Sequence, residues 1–345
     1  MTSVFLDACR RKPTPYTPIW LMRQAGRYQP EYRELRAKVP FVELCKTPEL
    51  AAQVTLRAVD DLGVDAAIIF ADILLILEAL RIGFAFTADD GPRIDTPLRS
   101  AGQIDALPDD IDATSEMAYV LDALRLVRPA LDPKVALIGF AGAPFTLASY
   151  AIEGGGSRNY TLTKALMYGD EPTWHRLMEK LTRATQSYLN AQIAAGAEAV
   201  QVFDSWVGCL GPSDYRRYVF PHMQALFAGL DRRAPAIHFA TGNPALYPLL
   251  QKAGGDVIGI DWRVDLGVQW EQLGEVAIMG NLDPAYLLAP LETMKAKADD
   301  ILAQAGGKAG HIFNLGHGVF PQVSVAQARA LVEHVQRASR REGAA

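Results

Sequence analysis

Seven short apolar runs separated by helical stretches set the tightest limit on how this chain can fold. Val64–Phe70 reads VDAAIIF, Val135–Phe140 VALIGF, Ala199–Phe203 AVQVF, Ala236–Phe239 AIHF and Val257–Ile260 VIGI, and Val276–Met279 and His311–Asn314 complete the series. Pro18–Met22 (PIWLM) is a candidate eighth. Continuous apolar runs without strict alternation suit strands buried on both faces, as in a parallel sheet. Helical patterns fill residues 49–61, 114–128, 173–195, 213–230, 293–305 and 324–339, with start signals at Pro48, Ser213-Asp214 and Ser324. Strand–helix alternation along the whole chain predicts βα units. About eight strands at this length favour a closed (β/α)8 TIM barrel over an open doubly wound sheet. No G-x-G-x-x-G follows the first strand to support a dinucleotide-binding version. Ala85–Thr96 (AFTADDGPRIDT) reads as an inserted hairpin turning at Asp90-Gly91. No repeat or linker divides the chain, so residues 1–345 are expected to form one domain.

Composition narrows the function classes. Half of the 345 residues are apolar, enough for a large core without staples. Lys+Arg 34 against Asp+Glu 39, with no basic run, argues against nucleic acid as a partner. An anionic ligand would have to be held by a few placed arginines. Cys9, Cys45 and Cys209 show no paired spacing, which predicts neither disulfides nor a zinc ribbon and fits a reducing cytoplasm. Asp7 and Arg10-Arg11-Lys12 come too early for a secretory apolar region to precede them. Ala66–Phe86 is apolar enough to raise a membrane span, but Asp72, Glu78 and Arg81 each oppose insertion by roughly 2.5–3.5 kcal/mol. That stretch is expected to be core, with no membrane contact.

The runs end in polar or glycine-rich residues: Asp72, Gly142-Ala143-Pro144, Asp204-Ser205, Thr241-Gly242-Asn243, Asp261, Asn281-Leu282-Asp283 and Asn314-Leu315-Gly316-His317-Gly318. Such residues commonly cap strands and start helices. In a barrel, however, all of these endpoints meet at the C-terminal mouth, where active sites lie. Arg23-Gln24-Ala25-Gly26-Arg27-Tyr28 adds a glycine-containing loop able to turn two guanidiniums onto a carboxylate-rich ligand, although a solvated loop has the same composition. Asp72, set in FADILLI, is costly to bury unless capping a helix or serving as a fixed negative charge in a pocket. Tyr150 has apolar neighbours and one polar handle, and Ser205 and His317 supply a hydroxyl and an imidazole. A hydrolase triad is excluded because no Gly-x-Ser-x-Gly surrounds Ser205.

Five segments, in order, resemble the uroporphyrinogen decarboxylase family: Pro18–Tyr28 (PIWLMRQAGRY), Phe70–Leu74 (FADIL), Gly139–Leu147 (GFAGAPFTL) with Tyr150 and Glu153–Ser157, Phe203–Trp206 (FDSW) and Asn314–Gly318 (NLGHG). The resemblance implies a somewhat distorted (β/α)8 barrel, a homodimer, and no metal or prosthetic group. It also implies conversion of uroporphyrinogen III to coproporphyrinogen III in haem biosynthesis, four acetate side chains becoming methyls with loss of carbon dioxide. Carried over residue by residue, the substrate-binding loop spans about 18–36. Arg23, Gln24, Ala25, Gly26, Arg27, Asp72, Tyr150, Phe203, Ser205 and His317 would meet substrate, with Asp72, Arg23, Arg27, His317 and Tyr150 in the chemistry. Two alternatives are a superfamily methyltransferase and a non-catalytic tetrapyrrole or anion carrier. The first needs a His-x-Cys pair and a later cysteine for zinc; here His238-Phe239-Ala240 lacks the thiol and no cysteine follows Cys209. Without a cofactor the electron sink must be the substrate's own protonated pyrrole, with Asp72 offsetting the cation and the arginines holding carboxylates. The proton donor is left open among arginine-assisted transfer, His317, Tyr150 and a trapped water.

Overall fold

The computed structural model describes residues 3–87 and 91–341. Nine strands are present among them: β1 (Ala66–Ile68), β2 (Phe84–Thr87), β3 (Gly91–Ile94), β4 (Ala136–Gly142), β5 (Ala199–Asp204), β6 (Ala236–Ala240), β7 (Val257–Gly259), β8 (Ala277–Leu282) and β9 (His311–Leu315). Seven of these form one parallel sheet in the order β1-β4-β5-β6-β7-β8-β9, with registers such as Ala66↔Ala136, Ile138↔Ala199 and Ile278↔His311. All seven residues of β4 are buried, as are all those of β6, β7, β8 and β9. Each fully buried Val, Leu or Ile contributes roughly 1.5–3 kcal/mol of transfer free energy, which is why unbroken apolar runs became strands covered on both faces.

Residues 18–20 run between the two edges of this sheet. Ile19 forms a parallel bridge with Phe313; the Phe313 N–H donates to Pro18 O at 2.8 Å, and the Asp65 N–H to Ile19 O at 2.9 Å. The expected strand at Pro18–Met22 is therefore a one-residue bridge, for a local reason. Pro18 has no N–H to give, and the Ile19 N–H donates to the buried Asp65 carboxylate at 2.8 Å instead of to a strand. The architecture is a curled, TIM-barrel-like α/β sheet with helices outside it. The interior is filled by Phe140, Gln201, Phe203, Phe239 and Met279; the Phe140 and Phe239 rings meet Phe203 at 5.6 and 5.8 Å.

Helix boundaries follow local chemistry. The helix Pro48–Leu62 begins on a proline and ends on Gly63 at φ 70°, the left-handed residue that closes it. Ser324 caps Val325–Ala338 through the Gln327 N–H, and Asp170 caps Glu171–Ala194 through the Thr173 N–H. The single helix expected over 213–230 is instead Pro212–Tyr218 followed by Phe220–Ala228, because Pro221 cannot continue the hydrogen-bond ladder. The insertion after β1 is the β2–β3 hairpin, with Phe84 opposite Ile94. The expected turn position Asp90 lies outside the described residues. Its Phe86 ring packs edge-on against Phe41 at 4.7 Å, and Phe41 against Phe70 at 6.1 Å, so an aromatic wall stands beside the β1 end of the mouth. Among the described residues no helix is long and apolar enough to cross a membrane.

Candidate active site

At the carboxyl end of β1 the chain continues through Phe70 and Ala71 to Asp72. Asp72 Oδ1 accepts the Leu74 N–H at 2.9 Å, a turn that leads into the helix Leu75–Ala79. Capping thus accounts for one oxygen. No protein donor among the described residues meets Oδ2. The residue retains partial surface exposure but lies deep among apolar side chains, and burial pushes its pKa up to about 6 against the opposing Leu74 amide and Arg23 charge. This carboxylate is ionised at neutral pH at an energetic cost, and a ligand N–H would relieve it.

Arg23 is placed by a loop whose backbone is tied down on both sides. The Met22 N–H donates to Asn314 Oδ1 at 3.0 Å, and Met22 O accepts the Val319 N–H at 2.9 Å. Gln24, nearly fully buried, accepts the Leu21 N–H and donates to Ala66 O at 3.1 Å. Its side chain braces the loop rather than opening onto the mouth. Ala25 and Gly26 are half-buried, and Tyr28 donates to Gln24 O at 2.6 Å. Arg23 itself adopts φ 61°, a left-handed conformation costly for a side chain of this size and maintained only because the surroundings dictate it. Glycine at 318 makes its position possible: a Cβ there would fall 2.3 Å from Arg23 Cδ. Arg23 and Arg27 are both exposed, and of the two only Arg23 acts on the charges of Asp72 and His317. Among the described residues neither guanidinium has a carboxylate partner, whereas Arg33 on the following helix donates to Arg27 O and Tyr28 O.

The opposite wall comes from β4, β5 and β9. Tyr150, on the helix Pro144–Glu153, lies 3.7 Å centroid to centroid from Trp206 with the rings tilted by 31°. Burial and the Asp72 charge push its hydroxyl up to about 12, with Arg23 opposing. Phe203 points into the mouth from β5, and Ser205 is half-buried just beyond it, not hydrogen-bonded to His317. His317 is pushed down to about 4, first by burial and then by Arg23 and Arg263, so it is a neutral imidazole at physiological pH. Asp72, Tyr150 and His317 thus all feel Arg23, and these four form one electrostatic unit.

Two nearby residues are not among those expected to meet substrate, although Asp204 stands at one of the strand ends noted above. Asp204 is fully buried behind the mouth, accepting from Thr146 at 3.0 Å, with its other oxygen unpartnered among the described residues and its pKa pushed up to about 7 by burial. Arg263 follows the strand-end Asp261 and pairs with it; the signal available was a charged residue two positions beyond a strand-end carboxylate. His238 is not part of the site. It is fully buried on the helix-facing side of β6, 4.8 Å from the Phe227 ring, with Nδ1 at 3.3 Å from Leu250 O. Among the described residues no group of three or more His, Cys, Asp or Glu is gathered as a metal site would need.

Comparison with known proteins bears on this arrangement. The family model described as Uroporphyrinogen decarboxylase (URO-D) matches residues 2–338. A protein named uroporphyrinogen decarboxylase from Carboxydothermus hydrogenoformans is 53% identical over 341 residues, covering 98% of this chain and 97% of that protein. One of the same name from Chloroflexus aurantiacus is 53% identical over 342 residues, covering 97% and 96%. Among solved structures, a methyltransferase from Methanosarcina mazei superposes with a TM-score of 0.80 at 19% identity, covering 97% of each chain. At that identity the likeness is one of fold.

Proposed function

The chain belongs to the uroporphyrinogen decarboxylase family and is a carboxy-lyase, and from that premise we propose how its own residues act. The substrate reading is uroporphyrinogen III, its four acetates converted to methyls in the route to haem. The observation that carries the mechanism is a carboxylate, Asp72, half-satisfied among the described residues, set among apolar side chains and acted on by the Arg23 charge.

Protonation of the pyrrole carbon beside the acetate-bearing one makes a cationic ring. The C–C bond to the carboxylate then breaks, its electron pair flows into that ring, carbon dioxide leaves, a second proton on the exocyclic carbon completes the methyl group, and loss of the first proton from the ring carbon restores the pyrrole. Asp72 accepts pyrrole N–H groups and offsets the developing cation. Arg23 and Arg27 orient carboxylates, Phe203 and Tyr150 flank the macrocycle, and Ser205 and His317 bind at its edge. A donor matched to neutral pH would have a pKa near 7. Tyr150 near 12 and His317 near 4 are both far from it. Arg23 is a weaker acid still, and we assign it the transfer by its place, since its charge acts on Asp72, Tyr150 and His317 alike: it positions a proton supplied by water in the mouth. We further read residues 18–20 as the eighth stave of a distorted barrel, residues 1–345 as one domain with a substrate-binding loop at about 18–36, and the working form as a cytoplasmic homodimer.

Anaerobic incubation with uroporphyrinogen, followed by oxidation and chromatography of the porphyrins, tests the reaction. Stepwise loss of four carboxylates to coproporphyrin is expected; tight binding without any loss would instead establish a carrier. The methyltransferase alternative lacks its zinc ligands here, since Ala240 replaces the thiol and His238 faces the outer helices.

A pH profile gives a further expectation. Only ionised Asp72 can offset the ring cation, so kcat/KM should rise with pH through a single limb near pH 6, where this carboxyl titrates. An unperturbed carboxylate would place that limb near pH 4. A limb near 4 in measured profiles would remove Asp72 from control of the rate.

A further inference from the structure

His317 lies between two glycines, and each admits a different arginine-bearing segment. On one side, a Cβ at Gly318 would fall 2.3 Å from Arg23 Cδ. On the other, a Cβ at Gly316 would fall 2.6 Å from the Trp262 backbone nitrogen and 2.7 Å from its Cε3, so the turn Asp261-Trp262-Arg263 packs directly on this loop. The imidazole is bracketed by Arg23 and by the segment that carries Arg263, and both guanidiniums depress its basicity.

Arg263 is held in place before any ligand arrives. Its Nη1 donates to the fully buried Asp261 carboxylate, and its guanidinium carbon lies 4.3 Å from the centre of the Trp262 ring. Asp261 is fixed in turn. It accepts the Gly242 N–H at 2.7 Å and the Arg263 N–H at 3.0 Å, and its own N–H donates to the Tyr247 hydroxyl at 2.9 Å. Asp261 therefore spreads its charge over inward-facing donors, while Nε and Nη2 of Arg263 have no protein acceptor among the described residues. With 43% of its side chain exposed, the free edge of the fork is reachable from the mouth. A planar guanidinium held this way matches a carboxylate with little ordering cost.

We propose that Arg263, together with His317, binds a substrate carboxylate that the reaction leaves intact, and so sets affinity for the polycarboxylate rather than the rate of carbon dioxide loss. This rests on the decarboxylase reading above. The choice of a surviving carboxylate, of the propionate type, follows from differential binding. A preformed fork gripping the departing group would stabilise the ground state more than the transition state and slow the step.

The test compares KM and kcat of the full-length protein and its Arg263→Gln and Arg263→Lys variants on uroporphyrinogen and on the intermediate retaining one acetate. Arg263→Gln is expected to raise KM about 10-fold on both substrates with kcat within about twofold of the parent. Arg263→Lys, which keeps the charge but loses the fork, should raise KM roughly threefold. KM unchanged in both variants, or a fall in kcat at constant KM, would overturn the assignment. Removing the partner of Asp261 endangers folding, so thermal midpoints are measured alongside; if the Gln variant does not fold, the Lys variant decides by the same criterion. A parent protein that releases no carbon dioxide sinks the decarboxylase reading itself, a result distinguishable from an active parent with indifferent Arg263 variants.

Discussion

Asp72→Asn is expected to lower kcat by roughly 10²–10³-fold while leaving KM within a few-fold of the parent, the range typical for losing a preorganised electrostatic group. The amide fills the same volume and still accepts the Leu74 N–H, so the macrocycle should remain bound. What disappears is the negative charge facing a cation that develops only in the transition state. Stability should change in the opposite direction. Burial raises the folded-state pKa from 3.8 to about 6. Between those pH values the native protein therefore holds a proton that the unfolded chain has already released. Stability falls as pH rises across that window, and the deficit persists above it. Allowing for residual contact with water, the ionised group costs on the order of 2 kcal/mol at neutral pH. Asp72→Asn should then raise Tm by roughly 2–4 °C at pH 7.5. Near pH 5, where the parent carboxyl is itself largely protonated, the gain should shrink. Calorimetry at the two pH values, alongside steady-state kinetics, checks both effects. An Asn variant with full kcat would show that ring charge is not what Asp72 stabilises.

Much of the framework could be read before any coordinates, because parallel strands with both faces covered leave an apolar signature that does not depend on tertiary detail. The runs beginning at Val135, Ala199, Ala236, Val257, Val276 and His311 each contain an observed strand, and Asp72, Tyr150 and His317, which follow three different strands, all feel the Arg23 charge. What stayed hidden were cases in which a distant partner decides. Pro18–Met22 has strand composition, but the Asp65 side chain takes the Ile19 N–H. Gln24 sits between two arginines, yet its amide is spent bracing Leu21 and Ala66. Arg263 has no periodicity to mark it; its place beside His317 arises from contact of Trp262 with Gly316, more than 50 positions along the chain. Sequence spacing likewise could not rank Arg23 above Arg27. That ranking comes from the structure, in which Arg23 and not Arg27 acts on Asp72, Tyr150 and His317.

The unequal placement of the two loop arginines leads to the second large effect. Arg23→Gln is expected to reduce kcat/KM by about 10³-fold, divided between KM and kcat, because one group both orients a carboxylate and serves proton transfer beside Asp72. Arg27→Gln, which removes a charge that neither Asp72 nor His317 senses, should cost about 10-fold and act almost wholly on KM. Its loss should be larger on uroporphyrinogen than on intermediates with fewer carboxylates. Arg23 can also be tested by a signature that a merely structural residue would not leave. Its charge holds down the pKa of both Asp72 and His317. Without it the Asp72 carboxyl becomes harder to ionise, so the acid limb of the residual activity should move above pH 6 and His317 should titrate above pH 4. Removing Arg27, which neither group senses, should leave the limb where it was. Proton titration of His317 by NMR and the pH profiles of both variants provide the readouts. Equal losses for the two substitutions with an unmoved limb would mean that Arg23 is no nearer the chemistry than Arg27, and the arrangement proposed for the mouth would have to be abandoned.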